Sequence, residues 1–279
     1  MLRERVSDDI YVFTSEVYAQ VTAGVVVYPE GAVLIDTLPF PFETAEIKDF
    51  VEKRLNTKVQ YILFTHYHAD HTNGAYLFPE AHVVGHQLCR LKLDTVGRTG
   101  MARAKEQAPE LAEAEIVLPT LLLEDGRLLL HLGKKTLELF PAPGHSADSV
   151  AVLLREDKIL FAGDMMMPLP HFVDGDLNQL AQSLKGIPPM LLENVVQGHG
   201  ELVLRGEIDD AVRSNLKYLD TVQKKVEALV KRGKPRAAVK EIDIESCGKS
   251  RIPLNGQVTQ LHTGNLLALY DRLTAERDA

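Results

Sequence analysis

Three histidines and an aspartate fall within six residues: His66, His68, Asp70 and His71, in the run Thr65-His66-Tyr67-His68-Ala69-Asp70-His71. The run follows an apolar stretch at 59–64 that reads as a buried strand. In an extended segment alternate side chains share a face, so His66 and His68 point the same way and Tyr67 is left to packing. Asp70 and His71 come where the strand breaks into a loop and helix. Gathering four ionisable groups at a strand end costs hydration unless something compensates, and a divalent cation does so. Imidazole and carboxylate donors suit zinc, iron or manganese.

This HxHxDH segment resembles the signature of the metallo-β-lactamase superfamily. The resemblance extends in order over residues from about 10 to 205. A Pro-Gly-His-Ser segment carries His145, a Gly-Asp pair carries Asp164, and a late Gly-His-Gly carries His199, each just past an apolar strand run. The resemblance implies a four-layer αβ/βα sandwich, an α/β fold. It also implies two divalent metal ions, with zinc first and iron or manganese as alternatives. By it, His66, His68 and His145 hold the first, Asp70, His71 and His199 the second, and Asp164 bridges them. Two metals about 3.5–4 Å apart lower the pKa of a bound water to about 7, so a bridging hydroxide is the expected nucleophile.

The superfamily spreads over many reactions, so fold alone does not name one. Asp164 stands where the best-known zinc β-lactamases carry a cysteine, which argues against antibiotic hydrolysis. It looks instead like the glyoxalase II, lactonase and phosphodiesterase branches, and the helical C-terminus looks like that of glyoxalase II-like and quinolone-signal-response-like members. The first expectation is an ester, thioester or lactone hydrolase acting on a small molecule. The alternatives are a small-molecule phosphodiesterase or phosphotriesterase, a mononuclear iron oxygenase resembling the persulfide dioxygenases, in which His199 would be idle, and a metal-binding regulatory protein with vestigial esterase activity. Candidate substrate-binding residues are His171 and Phe172, in the loop after Asp164, and Lys249 and Arg251, in a loop between C-terminal helices that could meet an anionic substrate. Asp148 and Ser149 are candidate supports for His145. His82, His86, His131 and His262 read as structural or surface residues.

Strand and helix signals alternate through the first two thirds. Apolar runs at 21–28 and 32–35, separated by Pro29-Glu30-Gly31, read as a hairpin. A helix follows Pro41, with Glu43 and Glu46 near its start and Lys53 and Arg54 near its end. Residues 81–84, 136–140, 150–154 and 158–161 read as strands, 177–184 as a helix, and Val195-Val196 as the end of a last strand. Residues 209–232 and 258–276 read as long helices, the first stopped at Gly233 and Pro235. The chain thus divides into a catalytic body, 1–205, and a helical C-terminal region, 206–279, expected to pack near the active site.

The 279 residues carry a net charge of −8, which argues against a nucleic-acid surface, since such surfaces need clustered cations. No apolar stretch approaches the ~20 residues that span a bilayer. The N-terminus has no apolar signal segment, and Cys89 and Cys247 read as free thiols, so a cytoplasmic location is expected. The expected partners are a small-molecule substrate and, in assembly, a second copy in a homodimer, with no nucleic acid and no membrane.

Overall fold

The computed structural model describes residues 1–278. Thirteen strands form two sheets that lie face to face. The first sheet runs in chain order through β1 (Leu2–Ser7), β2 (Ile10–Thr14), β3 (Thr22–Tyr28), β4 (Gly31–Ile35), β5 (Val59–Leu63), β6 (His82–His86) and β7 (Leu121–Leu123). The second contains β8 (Leu128–Leu132), β9 (Lys135–Pro141), β10 (Val150–Leu154), β11 (Ile159–Gly163), β12 (Asn194–Gln197) and β13 (Val203–Leu204), with β8 and β13 at its edges. Strands β4 to β7 pair in parallel, as do β11 and β12; the other pairs are antiparallel.

The two-residue period of the strands builds the layers. Val33 and Ile35 of β4, and Ile159 and Phe161 of β11, meet in a core between the sheets. Their neighbours face outward: Ala32 and Leu34 pack under α1 (Pro41–Asp49), while Leu160 and Ala162 pack under the helices of the second sheet. Because each inner strand is covered on both faces, it reads as a continuous apolar run rather than an alternating one. The result is the helix–sheet–sheet–helix sandwich that the sequence resemblance implies.

The short α2 (Ala69–Thr72) follows β5, and α3 (Gln87–Lys92) and α4 (Arg98–Gln107) fall between β6 and β7. On the second sheet sit α5 (Leu177–Lys185), α6 (Ile208–Lys231) and α7 (Val258–Asp278). Val212, Leu219, Val222, Val226 and Val230 of α6 share one apolar cluster with Leu180 and Leu184 of α5 and Leu266 and Leu269 of α7. The C-terminal helices are therefore continuous with the outer layer of the second sheet. The segment 41–54 is α-helical only to Asp49 and finishes in a wider turn to Arg54. No helix among the described residues is long and apolar enough to cross a membrane.

Candidate metal centre

The C-terminal ends of β4, β5, β9, β11 and β12 point to one edge of the sandwich, and each delivers a polar residue within a few positions of its end: Asp36, His66, His145, Asp164 and His199. Backbone hydrogen bonds lash these ends together. Val150 N donates to Thr65 O at 2.8 Å, Thr22 N to Gly198 O at 2.9 Å, and Gly198 N to Gly163 O at 2.8 Å. Gly198 is required by the closeness of the packing: a Cβ there would sit 1.9 Å from Asp164 Oδ1.

Seven of the residues singled out by the sequence converge. His66, His68, His145 and Asp164 form one group, and Asp70, His71 and His199 another, with the donor atoms of each group within 4.8 Å of one another. His68 Nδ1 lies 3.0 Å from His66 Nε2 and 2.9 Å from His145 Nε2. Asp164 stands between the groups. Its Oδ2 is 3.3 Å from His145 Nε2 and 3.4 Å from His199 Nε2, and its Oδ1 is 3.3 Å from His71 Nε2. Asp70 Oδ2 is 3.5 Å from His199 Nε2.

The outer nitrogen of each ring is occupied, and this sets which nitrogen faces in. Thr65 Oγ1 donates its single proton to Asp36 Oδ2 at 2.6 Å, so it must accept from His66 Nδ1 at 3.0 Å. His71 Nδ1 donates to Asp36 Oδ2 (2.9 Å), His145 Nδ1 to His171 O (2.8 Å) and His199 Nδ1 to Ala19 O (2.9 Å). His68 turns Nε2 to Asp174 Oδ2 at 3.4 Å, leaving Nδ1 inward. Five imidazoles thus aim lone-pair nitrogens at one small volume, the arrangement in which a metal-ligating histidine is oriented by its other nitrogen.

The charge state follows from the same neighbours. Burial, together with adjacent imidazoles, drives His66 well below the usual histidine range, and burial against the opposing pull of Asp164 leaves His145 at about 3. Burial also works against a charged His71, but Asp164, Asp70 and Asp36 outweigh it and hold it well above that range; His199 is raised by Asp164 and Asp70 in the same way. Asp164 is buried, yet His199, His145 and His71 keep it well below the ordinary carboxylate range. Without a cation, therefore, protons on His71 and His199 neutralise the carboxylates. A divalent ion can replace them, since metal binding at such a site releases protons. Two buried atoms in the middle of the cluster, His71 Nε2 and Asp164 Oδ1, lie 3.3 Å apart but without the geometry of a hydrogen bond to each other or to any other atom. An unsatisfied buried polar atom is costly in water-free surroundings, and both are metal donors. The residues present fit a divalent cation.

The four candidate substrate residues lie differently. His171 borders the cluster, its ring 5.8 Å from that of His145 and its Nδ1 donating to Asn265 Oδ1 at 3.1 Å. Phe172 has a fully buried ring in the apolar cluster under α6 and α7 and no free face for a substrate. Lys249 is turned to α6, where Nζ donates to Asn215 Oδ1, and Arg251 pairs with Asp243 and Glu245. Asp148 does not reach His145: its Oδ2 accepts from Tyr67 N at 2.8 Å and its Oδ1 lies 3.7 Å from Lys92 Nζ. Ser149 Oγ bonds Ser146 Oγ at 2.9 Å.

Sequence reasoning missed Asp36, Asp174, Lys92 and Asn265. Asp36 had a signal, an acid closing a wholly apolar strand. The ion pair of Asp174 with Lys92, at 2.9 Å, joins residues too far apart in the chain for spacing to reveal.

A family model described as the metallo-beta-lactamase superfamily matches residues 18–228. A beta-lactamase-like protein 2 homolog of Caenorhabditis elegans is 25% identical over 68% of this chain and 57% of its own length. An acyl-coenzyme A thioesterase of Homo sapiens is 30% identical over 48% of this chain and 54% of its own. An atrochrysone carboxyl ACP thioesterase of Aspergillus fumigatus is 27% identical over 60% and 48%. The chain spans about half the length of the curated relatives it matches. The solved structure of a metallo-beta-lactamase from Pontibacter korlensis superposes with a TM-score of 0.61 at 23% identity, over 76% of this chain and 97% of that one. The motif order, the sandwich and the family match together place this chain in the metallo-beta-lactamase superfamily.

Proposed function

We propose that the protein is a dinuclear metal-dependent hydrolase of small-molecule ester, thioester or lactone bonds. His66, His68 and His145 would hold one divalent cation, Asp70, His71 and His199 a second, with Asp164 shared. The observation that carries this reading is the position of Asp164: one buried carboxylate within 3.3–3.4 Å of inward nitrogens from both groups, with Oδ1 unpartnered. Bound divalent cations would supply an ionised water near neutral pH and Lewis-acid polarisation of a carbonyl.

The chain's own groups fit that division of labour. No side-chain nucleophile stands in the cluster, and burial pushes the Cys89 thiol well above its ordinary range. Asp36 orients His71 and, through Thr65, His66; the His171 carbonyl orients His145; and Asp174 orients His68. His199 lies 3.4 Å from Asp164 Oδ2, which favours two cations over the mononuclear iron arrangement in which it would be idle. The thioesterase names of two relatives support acyl transfer to water over phosphoryl transfer. The test is turnover by metal-loaded protein across p-nitrophenyl esters, lactones, thioesters and phosphodiesters. Hydrolysis of an acyl substrate is expected; hydrolysis of phosphodiesters alone, or none at all, contradicts the reading.

A further inference from the structure

Three features of the walls around the metal cluster bear on what the site accepts. The first is the state of the cations there. Lys92 Nζ lies 2.9 Å from Asp174 Oδ2 and 3.7 Å from Asp148 Oδ1, so it is already matched by two carboxylates. Arg272 is held by Asp176 at 3.4 Å and by Gly175 O at 2.7 Å. Arg251 is paired with Asp243 and Glu245, and Lys249 is bound to Asn215. Three of these four are matched by carboxylates; Lys249 is held by a neutral amide and is not among the residues that line the cleft described next.

The second is a cleft of about 450 Å³ lined by the residues that flank His199 in the chain and in space, not by the histidine itself. Its walls include Gln20, Gly200, Glu201, Ile252, Leu254 and Asn255, with an acid but no lysine or arginine among the residues that line it. Gly200 adjoins His199, and Gln20 adjoins Ala19, whose carbonyl accepts from His199 Nδ1. Both walls hold their shape at a cost. Ala19 and Gln20 on one side have φ of 46° and 51°, and Leu254 and Asn255 on the other have φ of 55° and 54°. Left-handed backbone at non-glycine residues is unfavourable and persists where the surroundings impose it, often beside a ligand. The Gln20 wall is imposed by a bond from Gly200 N to Gln20 O at 2.9 Å.

The third is an aromatic ladder on the other side of the same β2–β3 loop. The Tyr18 ring meets Phe40 edge-on at 6.4 Å, and Phe40 stacks on Phe42 at 5.6 Å. Tyr18 adjoins Ala19, whose carbonyl accepts from His199 Nδ1 at 2.9 Å. Phe42, at the far end of the ladder from Tyr18, is half exposed, which gives the ladder an open apolar surface.

We infer that this site is built for an uncharged substrate: its apolar portion lies along Tyr18, Phe40 and Phe42, and the neutral group on the other side of the scissile bond enters the cleft between Gln20 and the 252–255 segment. The inference rests on the hydrolase reading above and narrows it. A polyanionic carrier such as coenzyme A would meet Glu201 and no lysine or arginine on the cleft walls, in a protein whose net charge is −8. Amide and apolar walls instead suit a short neutral thiol, alcohol or lactone ring.

The experiment compares one hexanoyl group on two thiols, coenzyme A and N-acetylcysteamine, with metal-loaded protein at low salt. The bond hydrolysed is the same; only the phosphates differ. The neutral thioester is expected to have at least a tenfold higher kcat/KM, and Glu201→Lys should narrow that gap at least threefold with metal content unchanged. Calorimetric binding of the unhydrolysable S-hexyl thioether of N-acetylcysteamine gives a readout independent of turnover: it should bind at least tenfold more tightly than the S-methyl thioether, and Phe42→Ala should erase most of that difference. Equal or better hydrolysis of the coenzyme A thioester overturns the inference while leaving the hydrolase reading in place. Chain-length-dependent binding of the thioether with no turnover of either thioester removes thioesters from the hydrolase reading and supports the inference about the walls. Thioether binding without dependence on chain length overturns the inference.

Discussion

Two regions of this molecule bury polar side chains, and they do it in opposite ways. Beneath α6 and α7, every donor in a small network finds its acceptor. Asn265 Nδ2 donates to Pro170 O (2.7 Å) and Tyr218 Oη (3.2 Å), Tyr218 pairs with His262 Nδ1 (2.9 Å), and His262 Nε2 reaches Ile242 O (2.9 Å). Asn265 Oδ1 accepts from Phe172 N and His171 Nδ1, both at 3.1 Å. That network is complete without a ligand. The metal cluster satisfies the outer nitrogen of each ring and leaves the inner face crowded, with lone pairs converging and two buried atoms unpartnered. A closed network holds a shape; an open one at the same depth is a shape waiting for an ion. The two are joined at His171, whose carbonyl orients His145 while its ring is tied to Asn265.

The contrast is broken most strongly by removing the ion. Metal that binds only the folded state stabilises it by mass action, by about 4 kcal/mol at a thousandfold excess over Kd. Chelation by EDTA should therefore lower Tm by about 10 °C, with restoration on adding metal back. A scan unchanged by chelation would mean that the cluster does not need a cation. The closed network should respond the other way. Asn265→Leu leaves buried partners unmatched and should cost about 2 kcal/mol in urea unfolding, while metal content stays at the wild-type level. Loss of metal with little loss of stability would reverse the roles assigned to the two regions.

Lys249 provides the smallest and most pH-dependent effect. Burial lowers its ammonium to about 8, with only a neutral amide as partner. Below pH 8 the folded protein carries a buried charge that the unfolded chain hydrates freely. Between about 8 and the ordinary lysine value the unfolded state binds more protons than the folded one, so stability rises with pH. Lys249→Met should raise stability by about 1 kcal/mol at pH 7, and the gain should shrink as pH climbs above 8. A gain independent of pH would point to packing alone.

How much of this could be read from the chain depended on whether neighbours in space were also neighbours along it. His66, His68, Asp70 and His71 share one strand end, and the change from apolar run to ionisable cluster is local. His145, Asp164 and His199 could be placed because each follows a strand in the order of a known family. The strands β3 to β6 and β9 to β12 each contain an apolar run, and those runs stood out. β1 sets three charges in a row at an exposed edge, β7 and β8 lie in a leucine-rich stretch without a clear period, and β2 and the two-residue β13 are short, so none of these five was expected. Lys249 and Arg251 looked free because their partners, Asn215, Asp243 and Glu245, become neighbours only once the loop folds against α6. Phe172 follows His171 directly, and that adjacency suggested a shared role, but the chain turns its ring into the core beside a histidine that stays at the site.

Metal content tests the central claim most directly. Protein loaded with zinc, then with iron or manganese, and freed of excess ion should retain about two metals per chain. His199→Ala should lose about one, and Asp164→Ala, whose carboxylate stands within 3.3–3.4 Å of nitrogens in both groups, should lose more than His199→Ala does. Fewer than about 1.5 metals per loaded chain, or equal depletion in the two variants, would contradict a site in which Asp164 is shared.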